Sequence, residues 1–463
     1  MKTVVAVVGG GFKGIVAAKY LVDQGAEVVL IEQGKNLGGI HVSIPWDGFK
    51  LDLGCHLFSN EDNRTTELLL DLLEDTPNGI SPKIKSLYQG KQTDGIEYPD
   101  FSHLPRNKIA ECLFDLLEHA SINQVALLAQ PEIQTNLEVY LVNRYGVKVA
   151  SLLTEALKKL LLSDAKDISS VAFSAIPAAR VSLVSSELAV ILKKSTLLDE
   201  LILRSSADDP MRYIRHKAFN FEYRCFYPAN GGMGAFGISS SKYLLKKGVT
   251  IRAETTIKKI TTLGDNKVEL EFSDADVMQC DHVLWTSGSQ ALANTLGLNL
   301  DMKSSVHAIP MVLFYFDVPD NMVGEYSWVQ DFDQTHFVYR ASAPSTLGAG
   351  TAPKGRAYVL AEVIAKIDSD IYQNPDLYLQ KVWDEIVSLG ICAGLLPIHY
   401  KIIKTPVSYR FPKPCFFQKK SLLDECLDQL GNVHLFDEWI FGKAACVKEV
   451  MSFLDQHNLV NND

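Results

Sequence analysis

The amino-acid sequence predicts an α/β fold nucleated by a β-turn-α-β unit at its N-terminus, and three observations carry that prediction. A short apolar run, Val4 to Val8, leads into Gly9-Gly10-Gly11-Phe12-Lys13-Gly14. An Ala-rich stretch with helical periodicity then runs to Gln24, and a second apolar run, Glu27 to Ile31, closes on the acid Glu32. Short continuous apolar runs on either side of a helical segment read as buried parallel strands joined by a crossover helix.

The glycine spacing has a chemical reason. Gly9 permits the tight turn, Gly11 lets the backbone approach a pyrophosphate, and Gly14 lets helix and strand pack closely. Phosphates placed there meet the free N–H groups and the positive end of the helix dipole. Glu32 is spaced to accept hydrogen bonds from ribose hydroxyls, and its charge disfavours a 2′-phosphate. Gly9, Gly11, Phe12, Gly14 and Glu32 are therefore the expected contacts of a bound dinucleotide.

At 463 residues the chain is long enough for two or three domains, and 47% hydrophobic residues is an ordinary globular composition. A net charge of −10 without a basic stripe argues against nucleic acid as a partner. The N-terminus opens directly into a strand pattern with no signal-peptide architecture, and no apolar run is long enough to span a bilayer, so a cytoplasmic protein is expected. Eight cysteines without a CxxC pair point to reduced thiols, with neither a zinc site nor a disulfide framework.

Past Glu32 come Gly38-Gly39 and then Asp52-Leu53-Gly54-Cys55-His56. Later the chain reads Tyr227-Pro228-Ala229-Asn230-Gly231-Gly232-Met233-Gly234, then Asp281-His282-Val283-Leu284-Trp285-Thr286, and near its end Asp437-Glu438-Trp439 and Gly442. This succession resembles the flavoprotein superfamily of amine oxidases, protoporphyrinogen oxidase, phytoene desaturases and UDP-galactopyranose mutase. The resemblance implies FAD as cofactor, with Gly38, Gly39, Ile257 and Glu438 joining the cofactor contacts. It also implies a discontinuous Rossmann-like FAD-binding domain made of residues 1–105, 211–300 and 406–463. Residues 106–210 form a helical and substrate insertion, and 301–405 an inserted substrate domain with a mixed sheet. The chain departs from the pattern at three places. Ile40 stands where an arginine often follows the glycine pair, Asn36 occupies a preceding basic position, and Asp437 replaces a glycine beside the expected diphosphate.

Flavin carries its own redox chemistry, so few protein groups need be catalytic. His56, matched by a histidine beside the flavin in the mutase branch, is the first candidate, able to donate a hydrogen bond or to titrate near neutral pH. Arg340 is the second. Arg224, Tyr227 and Arg410 are candidate substrate contacts, each with a structural ion pair or an aromatic ladder as the alternative. The implied function is hydride transfer from a small-molecule substrate to FAD in biosynthetic metabolism, with oxygen or another acceptor reoxidising the flavin. Two alternatives stay open. One is a mutase-like enzyme acting on a nucleotide sugar without net redox change, and the other is an inactive flavin-fold binding protein.

Overall fold

The computed structural model describes residues 2–73, 77–122, 135–203, 223–264, 267–457 and 459. The segment Arg212 to Lys217, the expected domain division at 210/211 and residues 123–134 of the expected helical insertion lie outside them.

The predicted N-terminal unit forms as β1 (Val4–Val8), α1 (Phe12–Asp23) and β2 (Glu27–Ile31). β1 and β2 are parallel neighbours with Val5 opposite Val28, and they belong to a five-stranded parallel sheet in the order Thr250–Arg252, β2, β1, His282–Trp285, Val433–Leu435. Three well-separated pieces of the chain thus build one sheet, in which β1, β2 and His282–Trp285 are the buried, apolar strands and the edge strands Thr250–Arg252 and Val433–Leu435 are partly exposed. One face packs on α1, the helix Gly234–Lys246 and the C-terminal helix Lys443–His457. Ile15, Val16 and Leu21 of α1 are fully buried there, each stabilising the fold by about 1.5–3 kcal/mol. The other face packs on an antiparallel meander, Ile257–Thr262, Val268–Phe272 and Val277–Cys280.

A second, seven-stranded mixed sheet has the order Tyr400–Pro412, Val306–Pro319, Arg356–Ile364, Val338–Ser342, Trp328–Asp331, Ile84–Tyr88, Lys91–Asp94. One face is covered by helices that include Arg106–Ile122, Leu137–Tyr145 and Val147–Leu161. The other face carries Leu379–Ser388, whose Trp383 is 1% exposed.

This sheet corrects the expected division at residue 105. Ile84–Tyr88 is buried throughout and pairs in parallel with Trp328–Asp331, so it belongs to the second sheet and not to the nucleotide sheet. The expected limit at 405 also falls short, since the strand from Tyr400 continues to Pro412.

Candidate active site

The glycine turn leads into α1, with Gly11 at the N-cap, and the turn is backbone throughout. A Cβ on Gly14 would lie 1.8 Å from the Gly9 carbonyl oxygen, so only glycine lets the helix come this close. The Gly38-Gly39 pair folds back onto the turn. Gly38 N–H donates to the Gly10 carbonyl at 2.7 Å, and a Cβ on Gly39 would lie 3.1 Å from the Gly11 Cα. Glu32 accepts from the N–H groups of Gly10 and Gly34, each at 2.6 Å, and still has lone pairs free for ribose hydroxyls. It lines a cavity of about 590 Å³ with Gly9, Ile257, Trp285, Gly288 and Arg410.

The C-terminal loop resolves the departure at Asp437. Its carboxylate accepts from the Trp439 N–H at 2.8 Å, and its own N–H donates to Glu449 at 2.7 Å. Lys13 binds both the Asp437 carbonyl and, at 2.6 Å, the Glu449 carboxylate. The acid is thus a turn cap held beside a cation. Glu438 turns the other way, accepting from the Ser289 hydroxyl and, at 3.2 Å, from the Ser289 N–H.

A second cavity, of about 200 Å³, lies between the Asp52–His56 segment and the seven-stranded sheet. Its walls are Cys55, Leu57, Ser59, Glu97, Arg224, Cys225, Trp328 and Arg340. Asp52 locks this segment to the Gly231-Gly232-Met233 turn. Its buried carboxylate accepts from Ser43 at 2.6 Å, from the Met233 N–H at 3.0 Å and from the Tyr227 hydroxyl. Burial holds its pKa above the usual carboxylate range in spite of those donors. Arg340 and Glu362 face each other across neighbouring strands and pair bidentately, both contacts at 2.7 Å, while Glu362 also accepts from the Cys55 N–H at 3.1 Å. Burial opposes the charge of Arg340, and Glu362 outweighs it, keeping the guanidinium protonated.

His56 comes close to this pair. A Cβ on Gly54 would lie 3.4 Å from its Nε2, 3.7 Å from Arg340 Nη2 and 3.7 Å from Glu362 Oε1. His56 Nε2 is 2.8 Å from the Leu53 carbonyl, which can only accept, so Nε2 carries the proton and Nδ1 is left as an acceptor. Desolvation, then the charges of Arg340 and Lys443, push the imidazole down to about 3. The expected titration near neutral pH is therefore corrected: His56 stays neutral.

Two residues escaped the sequence reading. His41 is 2% exposed among Phe12, Phe58 and Phe236, with Nδ1 on the Gly38 carbonyl and Nε2 without a partner among the described residues. Lys443 begins the last helix, donates to the Leu57 carbonyl at 3.2 Å and has no carboxylate within 4.0 Å among the described residues, so burial lowers its pKa. A cation at a helix N-terminus opposes the dipole, and that local anomaly was the available signal.

Of the remaining expectations, Phe12 packs on His41 and Phe236, and Arg224 lines the smaller cavity with Glu97 at 3.6 Å. Tyr227 is corrected: it is fully buried with its hydroxyl on Asp52, so it supports the wall instead of meeting a substrate. Arg410 lines the larger cavity. All eight cysteines are free. Burial pushes the Cys55 thiol up to about 12, which keeps it a packing group. Among the described residues no cluster could hold a metal, and no helix is long and apolar enough to cross a membrane.

The residues present fit FAD. At Gly11 a Cβ would meet nothing nearer than the Gly39 Cα at 4.0 Å, Glu32 has lone pairs for a ribose, and the orphaned acceptor of His41 beside Gly38 suits a hydroxyl-rich chain. A 50-residue segment is 50% identical to the carotenoid 3,4-desaturase of Haloarcula japonica, and this match spans 11% of the chain and only 10% of that relative. The 4,4'-diapolycopen-4-al dehydrogenase of Metabacillus indicus is 22% identical over 87% of this chain and 83% of its own. The fold is similar to that of reduced UDP-galactopyranose mutase, with a TM-score of 0.67 at 16% identity over 100% of this chain and 98% of that one. The model of the flavin containing amine oxidoreductases matches residues 14–311, more than half of the chain, which therefore belongs to that family and is an FAD-dependent oxidoreductase.

Proposed function

We propose that the protein oxidises a small polar substrate at a C–N or C–O bond in biosynthetic metabolism. The observation that carries this reading is the cavity of about 200 Å³, whose described wall holds Glu97, Arg224, Arg340 and Ser59 beside Trp328. Charged groups around so small a space suit a compact polar molecule better than a long polyene, although two relatives are named for carotenoid chemistry. Bound FAD supplies the acceptor for a hydride.

The side chains then divide the remaining work. Arg340, held by Glu362, presents a fixed cation to an oxygen or carboxylate of the substrate. Glu97 and Arg224 orient the opposite end. Neutral His56 offers Nδ1 as an acceptor and holds the Asp52–His56 segment in place through Leu53. Asp52, Ser43 and Tyr227 keep the wall closed.

The test is anaerobic mixing of the holoprotein with amines, amino acids, hydroxy acids and nucleotide sugars, reading loss of flavin absorbance. Bleaching by an amine, an amino acid or a hydroxy acid is the expected result. No bleaching by any of them, together with turnover of a nucleotide sugar only after prior reduction and without net acceptor consumption, would replace this reading by the mutase-like one. A protein that neither retains nor accepts FAD would be the inactive flavin-fold binder.

A further inference from the structure

The chain has no cation at two positions where the flavoprotein pattern carries one, Asn36 and Ile40. Ile40 is 61% exposed and apolar. Lys13, in the first turn of α1, does not make up the loss, because its ammonium is committed to Glu449 at 2.6 Å and to the Asp437 carbonyl. Lys258 lines the larger cavity but pairs with Glu271 at 2.7 Å and is well exposed. Among the described residues of that wall, the remaining cation is Arg410.

Arg410 comes from the other sheet. It sits opposite Ala308 on the edge strand Tyr400–Pro412, yet its guanidinium packs against the loop that follows His282–Trp285. A Cβ on Gly288 would lie 3.4 Å from its Nη1, so a larger residue there would press on the guanidinium. The preceding residue, Ser287, touches the glycine turn: a Cβ on Gly9 would lie 2.7 Å from Ser287 Oγ. The guanidinium carbon stands 5.8 Å from the Trp439 ring centre, and Nη1 is 3.5 Å from Glu438 Oε2. That separation is too long for a strong hydrogen bond, and Ser289 already occupies the other oxygen of Glu438. Arg410 thus donates no hydrogen bond to any described residue, its ion pair with Glu438 is a long one, and its side chain is 47% exposed and open to a further partner.

We propose that Arg410 binds the diphosphate of FAD and replaces the cation missing at positions 36 and 40. An α-helix N-terminus supplies only about half an elementary charge, whereas a diphosphate carries more than one. A guanidinium fork matches two phosphate oxygens at once, in a geometry that neither Lys13 nor Lys258 is free to offer. Cofactor retention then depends on a strand of the substrate-side sheet, and the two sheets are tied together through the ligand.

Full-length protein freed of flavin is titrated with FAD, ADP and adenosine, as wild type and as Arg410→Gln and Arg410→Lys. In Arg410→Gln the Kd values of FAD and ADP rise by about tenfold or more, while that of adenosine changes by less than about twofold. Arg410→Lys recovers part of the loss. In unmutated protein, rising KCl weakens ADP binding and leaves adenosine binding unchanged. An FAD Kd in Arg410→Gln within about twofold of wild type, an adenosine Kd rising in step with that of ADP, or salt-insensitive ADP binding by the unmutated protein would each overturn the assignment.

Discussion

Along the larger cavity the chain meets itself through backbone: Gly9, Ser287 and Gly288 line it, and beside it the glycine turn packs on the Gly38-Gly39 pair at the ends of parallel strands. The smaller cavity is walled by side chains that reach it from four separated stretches of chain, around Cys55, Glu97, Arg224 and Arg340. A wall of backbone tolerates almost no added atom, because the main chain cannot step aside. A wall of paired side chains tolerates changes of size but not the loss of one charge from a pair.

The contrast is broken most directly at Gly14. Gly14→Ala puts a methyl 1.8 Å from the Gly9 oxygen, so the turn must open. The expected outcome is loss of FAD from the purified protein and a destabilisation of about 4 kcal/mol, read by flavin absorbance and guanidinium unfolding. Full retention of FAD would show that the cradle is not the rigid element. Glu362→Gln is the corresponding test of the other wall. It leaves Arg340 without its buried partner, at an expected cost of about 3 kcal/mol, and slows flavin bleaching by substrate. FAD affinity should change little. Replacing both partners, as Arg340→Met with Glu362→Leu, should recover much of the stability but not the bleaching.

The same difference explains what could be read from the sequence. Backbone requirements leave marks on single residues, since a glycine needed for close approach is visible as Gly14 or Gly39 wherever it stands in the chain. The parallel sheet and its return through Met233 and Trp285 were legible for that reason. Pairing between distant side chains leaves no such mark. Nothing local to Asp52 names Tyr227 as its partner 175 positions away, and nothing local to Arg410 says that it faces the other sheet's cavity. The segment Ile84–Tyr88 was placed within the FAD-binding domain because nothing in its alternating pattern names a partner strand, and only its parallel pairing with Trp328–Asp331 decides.

Tyr227→Phe sharpens the corrected role of Tyr227. The change removes one of three donors to Asp52 and leaves Ser43 and the Met233 N–H in place. A loss of about 1–2 kcal/mol is expected, with the substrate KM unchanged. A KM rising severalfold at unchanged stability would return Tyr227 to the substrate.

The mildest test concerns the histidines between the two cavities. His41 and His56 both have folded pKa values below the ordinary 6.5, through desolvation first, with Lys443 adding to each and Arg340 acting on His56. A depressed histidine stays neutral when folded, while the unfolded chain takes up its proton at an unperturbed pKa of about 6.5. Below that pH the unfolded state therefore binds more protons, and stability falls as pH falls. For His56 the window extends from about 6.5 down to its folded value of about 3. Between about pH 6.5 and 5, above the range in which most carboxylates titrate, the wild-type melting temperature should drop by a few degrees at most. In His56→Asn, where the titrating group is gone, that drop should shrink. Above about pH 6.5 the two proteins should show parallel stability profiles, and flavin bleaching in the wild type should show no ionisation attributable to His56. A pH-rate step near neutrality that disappears in His56→Asn would mean that the imidazole is charged in the working enzyme, and that the wall of the smaller cavity opens to water during turnover.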